Sequence, residues 1–188
     1  MRSLPILKTT VASVAYLALT TGCLISEEPL LDEKSGRSAP LGEGPYLACE
    51  QDEGDMDCDR VTVSRLDDGA YAFDEEDGAR TVLRFRRIAK GGYAVQLQED
   101  DIYAYYYGAG GRDEFSLALM LCDALPVALR QKLISKGDLS SEDEAFDVCF
   151  VHSRSGLVAA AKAYHRGEAA NANDQRILLT PASGEDLE

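Results

Sequence analysis

The chain has 188 residues, with 33 acidic side chains against 19 lysines and arginines, and a formal charge of −14 at pH 7. A surface of this charge repels nucleic acids, which attract clustered lysine and arginine, so no nucleic-acid partner is expected. The length suits one domain with a single core.

The first predicted element is a secretory signal over residues 1–22. Arg2 and Lys8 give it a basic start, an apolar run without acids follows, and small residues precede Cys23. The run is too short to span a bilayer, which needs about 20 apolar residues. Removal of this signal leaves 17 basic and 33 acidic residues, a formal charge of −16.

The segment Leu19-Thr20-Thr21-Gly22-Cys23 resembles the cleavage site of bacterial lipoproteins. In that family the signal peptidase cuts before the cysteine, which then carries a diacylglycerol and usually a third acyl chain. The resemblance implies a lipidated Cys23 and a protein anchored to the bacterial cell envelope, because two or three chains hold stably where one does not. Inner-membrane retention in this family usually needs an aspartate after the cysteine, so Leu24 favours the outer membrane where there are two. An ordinary secretory signal is the alternative.

The segment after the anchor, residues 23–44, is rich in Ser, Glu, Gly and Pro, and Pro29 and Pro40 interrupt any regular pattern. This composition predicts a flexible tether, and about 20 such residues span about 25 Å. Contact of Leu30 and Leu31 with the domain is the alternative.

The four remaining cysteines predict two disulfides, because an even number in an exported chain is typical of a disulfide framework. Three pairings are open for Cys49, Cys58, Cys122 and Cys149, and their order suggests the first with the second and the third with the fourth. A zinc site is the alternative, but the chain has no C-x-x-C pair.

Apolar residues alternate with polar ones from Pro45 onward, and this pattern predicts a series of short strands. The predicted strands are Tyr46–Glu50, Arg60–Leu66, Ala70–Phe73, Arg80–Ile88, Tyr93–Gln98, Ile102–Tyr107 and Phe115–Cys122. Gly- and Asp-rich turns between them, such as Asp67-Asp68-Gly69, indicate an antiparallel meander. We therefore expect a single, mainly β domain over residues 45–180, either a curled sheet or a partly open barrel, with an α+β sandwich as the alternative.

The last third of the chain predicts one or two helices beside further strands. The expected elements are a helix over Pro126–Lys136, an acidic linker over Asp138–Glu144, a strand over Phe146–His152, a helix over Gly156–Arg166 capped by Ser155, an edge strand over Arg176–Thr180 and a loose tail over residues 181–188.

The acidic loop around Cys58 is the best candidate for a metal site. Asp55, Asp57 and Asp59 place oxygen ligands at alternate positions, a spacing that suits calcium. A solvated acidic loop explains the same residues.

Tyrosines are unusually dense near residue 105. Tyr103, Tyr105 and Tyr107 share one face of the predicted strand, which suits a platform for a small ligand or a partner. Cross-strand packing is the alternative, because tyrosine is a favoured strand residue.

Arg84 and Arg86 belong to the only dense basic stretch, together with Arg80, Arg87 and Lys90. They are candidates for contact with an anionic partner or, more simply, for pairing with acids on the neighbouring strand.

Catalytic and cofactor motifs are not evident. His152 and His165 are the only histidines, no nucleophile elbow occurs, and no glycine-rich loop opens a helix, so no cofactor is expected. We therefore expect an interaction or accessory protein, with membrane lipid as a partner through acylated Cys23 and another envelope protein as the second. The alternatives are a small-ligand-binding domain that uses Tyr103–Tyr107 and an unrecognised hydrolase.

Overall fold

The computed structural model describes residues 22–52, 55–141, 148–170 and 176–183. The strands of these ranges are β1 (Cys23–Ser26), β2 (Gly44–Asp52), β3 (Asp55–Arg65), β4 (Tyr71–Glu75), β5 (Arg80–Ala89), β6 (Gly92–Glu99), β7 (Ile102–Gly110), β8 (Phe115–Leu119), β9 (Leu139–Ser141), β10 (Val148–Val151) and β11 (Arg176–Pro181). The helices are α1 (Val127–Ser135) and α2 (Arg154–His165). The mainly β prediction is confirmed. The predicted signal peptide, apart from Gly22, lies outside the described residues.

Eight of the strands form a closed antiparallel barrel. Strands β2 to β8 follow one another as the predicted meander, and β11 lies between β8 and β2 and completes the ring. The prediction of a partly open barrel is therefore wrong. The prediction of an edge strand over Arg176–Thr180 is wrong for the same reason, because Leu178 is in register with both Cys49 and Ser116.

The inside of the barrel is filled by side chains. Alternate residues of every barrel strand point inward, and the rings of Tyr71, Phe85 and Phe115 meet edge to face, with centroids 5.4 and 5.7 Å apart. Gly108 makes room for this stack, since a Cβ there would lie 2.6 Å from the ring of Phe115. The described interior is thus a packed core and not a ligand-binding cavity.

A small side sheet extends from the barrel. Strand β1 pairs antiparallel with the first residues of β7 and parallel with β10, and β9 pairs with the outer edge of β10. The sequence did not predict β1, which is four residues long. It also did not predict β9, which begins inside the expected acidic linker.

A second core fills the space between α2 and the outer surfaces of the barrel and the side sheet. Leu24, Tyr105, Met120 and Leu157 are buried there. Ser153 caps α2, because its Oγ accepts a hydrogen bond from the N–H of Gly156 at 3.0 Å. The predicted cap, Ser155, lies inside the first turn instead, so that prediction is wrong.

Residues 27–41, which we call the strap, run across the outside of the barrel. The N–H of Leu31 donates to Gln96 Oε1 at 2.8 Å, and Gln96 Nε2 donates to the Leu31 carbonyl at 3.2 Å. The N–H of Ser38 donates to the Phe85 carbonyl at 2.9 Å. This packing differs from the flexible tether expected for residues 23–44. The difference arises because Leu31 buries its side chain in the second core and Leu41 buries its side chain in the core inside the barrel.

Neither helix in the described ranges is both long and apolar enough to cross a membrane. Of the predicted loose tail, residues 181–183 are described, and Pro181 still pairs with Tyr46 as the last residue of β11.

Candidate functional site

Cys23, the predicted lipidation residue, is the first residue of β1. It lies opposite Val148 of β10 and forms a β-bridge with Leu121, and its side chain is buried, with 0% exposed. It takes part in neither disulfide. The residue expected to carry the anchor therefore lies within the folded domain and not on a free chain.

One surface of the side sheet, which we call the apolar face, surrounds Cys23. Successive side chains of a strand point to opposite sides, so Cys23 and Ile25 share this face while Leu24 enters the core beneath α2. Five half-buried apolar residues pack around these two: Ile102, Leu119, Leu121, Val148 and Phe150. The cluster adjoins both larger cores, because Leu121 also packs against the second core and Leu119 against the core inside the barrel.

Two disulfides are present, as the sequence predicted, in the pairing that the order of the cysteines suggested. Cys122–Cys149 joins the chain after β8 to β10, so it fixes the side sheet beside the barrel. Cys49–Cys58 joins directly opposed residues of β2 and β3.

A surface cavity of about 330 Å³ lies where β1, β9 and β10 end. Its lining residues are Ser26, Glu27, Glu28, Leu30, Ser140, Phe150, Val151 and His152. Ser140 Oγ and His152 Nε2 share a hydrogen bond of 2.7 Å within it. Among the described residues, no carboxylate forms a hydrogen bond with the other ring nitrogen of His152. Sequence reasoning missed Ser140, because its contact with His152 depends on the pairing of β9 with β10.

The predicted tyrosine platform is largely covered. The structure keeps Tyr103, Tyr105 and Tyr107 on one side of β7, but that side faces the second core, and Tyr105 is completely buried. The hydroxyls of Tyr105 and Ser26 share a hydrogen bond of 2.6 Å. Burial raises the pKa of Tyr105 to about 12. Tyr105 therefore holds β1 in place and has no surface to offer a ligand.

The arginines of β5 divide into two groups. Arg80 pairs with Asp74, its direct neighbour on β4, as the simpler alternative predicted. Arg84 forms an ion pair with Asp68, which lies in the turn between β3 and β4 and not on the neighbouring strand. Arg86 instead donates to the carbonyl of Ser35 in the strap at 3.3 Å, and Arg87 to the carbonyl of Ala89 at 3.2 Å. Arg84 and Arg86 are thus both partly occupied by contacts within the protein.

The predicted calcium residues lie on β3. Asp57 and Asp59 are exposed, while the side chain of Asp55 lies outside the described residues. Within the described ranges, no group of three or more His, Cys, Asp or Glu side chains is arranged to hold a metal ion. The calcium site stays a prediction.

Comparison with protein families, curated proteins and solved structures finds no match to this chain.

Proposed function

We propose that this protein is a lipid-anchored protein of the bacterial cell envelope that acts through its outer surface in an interaction or accessory role. The filled interior of the barrel carries this proposal. Eight-stranded barrels that carry small ligands hold them inside, and here Tyr71, Phe85 and Phe115 occupy that space. The outer surface is what remains for function.

Two further observations support export and anchoring. Both disulfides suit an oxidising compartment outside the cytoplasm. The residues before Cys23 combine a basic start, an apolar run and a lipoprotein-like cleavage site. Together they favour an envelope location, and Leu24 favours the outer membrane in a cell with two.

The anchor is tested by fractionating cells that express the full precursor. We expect the wild type to sediment with membranes and Cys23→Ser to be released, because two or three acyl chains give stable anchoring and none gives no anchor. Ile25→Val, two residues away on the same face, is the matched control and should sediment with membranes. Sedimentation of Cys23→Ser with the membranes to the wild-type extent would refute the anchor.

The interaction role is tested separately by crosslinking in native membranes followed by mass spectrometry. We expect a reproducible envelope protein to be recovered with the wild type and lost with Cys23→Ser, which is no longer held beside it. Recovery of no specific partner from correctly anchored protein would contradict the interaction role while leaving the anchor intact.

The cavity favours hydrolysis as a second candidate function. In this candidate Ser140 Oγ attacks an ester carbonyl, His152 Nε2 takes the serine proton and returns it to the leaving alcohol, and water then releases the acyl group. A fluorophosphonate probe should label the wild type and not Ser140→Ala, with Ser141→Ala as the control. Equal labelling of wild type and Ser140→Ala would remove this candidate.

A further inference from the structure

We propose that the apolar face is a docking surface for the lipid bilayer, so that the barrel lies directly on the membrane into which its own anchor inserts. This inference rests on the proposed lipidation of Cys23. In this arrangement the domain is not held away from the membrane by a tether. It keeps one fixed side toward the membrane.

The segment directly after Cys23 is held closely against the folded domain. Leu24 is completely buried, the hydroxyl of Ser26 bonds to Tyr105, and both polar groups of the Leu31 backbone bond to Gln96. A single extended residue spans at most about 3.6 Å. The point at which acyl chains are attached to Cys23 is therefore at most one residue away from the folded domain.

The Cys23 side chain points to the apolar face. Alternation along β1 puts it on the same side as Ile25, and the neighbouring strand presents Val148 and Phe150 on that side as well. A thioether on Cys23 consequently emerges through the apolar face. Cys23 is fully buried beside its bridge partner Leu121 and its β10 partner Val148. In this proposal these two half-buried side chains turn outward to let the lipid pass and then contact lipid.

The composition of the apolar face suits contact with lipid. Its five half-buried members are all aliphatic or aromatic, they come from β7, β8 and β10 or the chain directly after them, and they surround the proposed anchor point. An apolar protein surface with an acyl chain at its centre fits the boundary between headgroups and hydrocarbon, where such surfaces lie about 5–10 Å deep.

Acidic residues border one side of this face and limit the kind of membrane that fits. Asp100 and Asp101 precede Ile102, and Glu27 and Glu28 follow β1. Anionic headgroups would repel these four carboxylates within a Debye length of about 8 Å at physiological salt. The favoured surface is therefore a zwitterionic one.

The test uses single tryptophan reporters, because the chain contains no tryptophan. Phe150→Trp places the reporter on the apolar face. Val127→Trp places it on α1, where 59% of the valine is exposed and the helix packs against the opposite side of the side sheet. Both variants are purified in acylated form and reconstituted into phosphatidylcholine vesicles that carry brominated acyl chains, which quench tryptophan fluorescence on contact.

We expect bromine quenching of Phe150→Trp to exceed that of Val127→Trp by about threefold, because only the first reporter reaches the acyl boundary. Leu121→Trp is a second face reporter for the case in which Phe150→Trp fails to fold, as judged by circular dichroism. Equal quenching on both sides would overturn the docking surface, and so would shielding of the face by a second copy or another protein without bromine contact. Mass spectrometry of the same samples separates this failure from that of the anchor, since an unmodified Cys23 would refute the proposed function itself.

Discussion

Gln96 is one of two buried polar residues in the described core. Its side chain makes the two hydrogen bonds to the strap that the backbone of a neighbouring strand would otherwise make. It accepts from the N–H of Leu31 and donates to the carbonyl of the same residue. Its role could not be read from the sequence, where it alternates with Val95 and Leu97 and predicts only an outward-facing position. Gln96 does lie on the outer side of β6, as its alternation with Val95 and Leu97 predicts, but the strap covers that side.

Replacement of Gln96 tests how firmly the strap is held. Gln96→Leu keeps the volume and leaves two backbone groups of Leu31 without their partners, so we expect a loss of about 2 kcal/mol in the free energy of unfolding. Urea denaturation measures this loss. Gln98→Leu, an exposed position on the same strand, is the control and should change the stability by less than about 0.5 kcal/mol. A Gln96→Leu protein as stable as the wild type would show that the strap is not held by these bonds.

Tyr105 and Tyr164 should respond to high pH. Burial raises the pKa of each to about 12, whereas an unfolded tyrosine titrates near pH 10. A raised pKa in the folded state means that the stabilising contribution is complete below about pH 10 and is lost as the pH rises through about 12. We expect absorbance at 295 nm to show a late phase that coincides with unfolding. Tyr105→Phe should reduce this phase, and an unchanged late phase would contradict the burial of Tyr105.

At the scale of elements, the barrel strands were predictable, and so was β10 of the side sheet, but β1 and β9 were not. Strands β2 to β8 follow one another with alternating patterns and Gly or Asp turns, so local signals suffice. Strand β1 has four residues, and its partner β10 lies more than 120 positions away in a parallel pairing. Its sequence, Cys-Leu-Ile-Ser, does not alternate in polarity because the side chains on both sides of the strand are buried.

The two disulfides should contribute unequally to stability. Cys122–Cys149 closes a separation of 27 residues and Cys49–Cys58 one of 9. The chain-entropy model gives about 3 kcal/mol for a 15-residue loop and more for longer ones. We therefore expect the double variant Cys122→Ala/Cys149→Ala to lose more stability in urea than Cys49→Ala/Cys58→Ala. The reverse order would show that the side sheet contributes little to the fold.

At the scale of the whole molecule, closure of the barrel decides what kind of function is available. The sequence predicted a meander but not closure, because closure depends on β11 reaching both β2 and β8, which lie about 130 and 60 positions earlier. No local pattern in the sequence Arg176–Pro181 indicates that this strand pairs with two neighbouring strands. Because the barrel is closed and its interior is filled by side chains, we look for function at the apolar face and at the surface cavity beside β9.

The surface charge of the whole molecule also shapes its behaviour at a membrane. The predicted mature chain has a formal charge of −16, so its approach to anionic lipid should be opposed and should improve with added salt. We expect acylated protein to transfer to phosphatidylcholine vesicles more readily than to phosphatidylglycerol vesicles at low salt, with the difference shrinking by 0.5 M salt. Preference for the anionic vesicles would contradict this account of the surface.

Intact-mass analysis of the N-terminal tryptic peptide from membrane-purified protein tests the lipid anchor most directly. Cleavage after Lys34 isolates residues 23–34 with whatever the N-terminal cysteine carries. We expect a peptide that begins at Cys23 and is heavier by a diacylglyceryl group, with or without a third acyl chain. A peptide that begins elsewhere, or that begins at Cys23 with an unmodified thiol, would contradict the proposed lipid anchor.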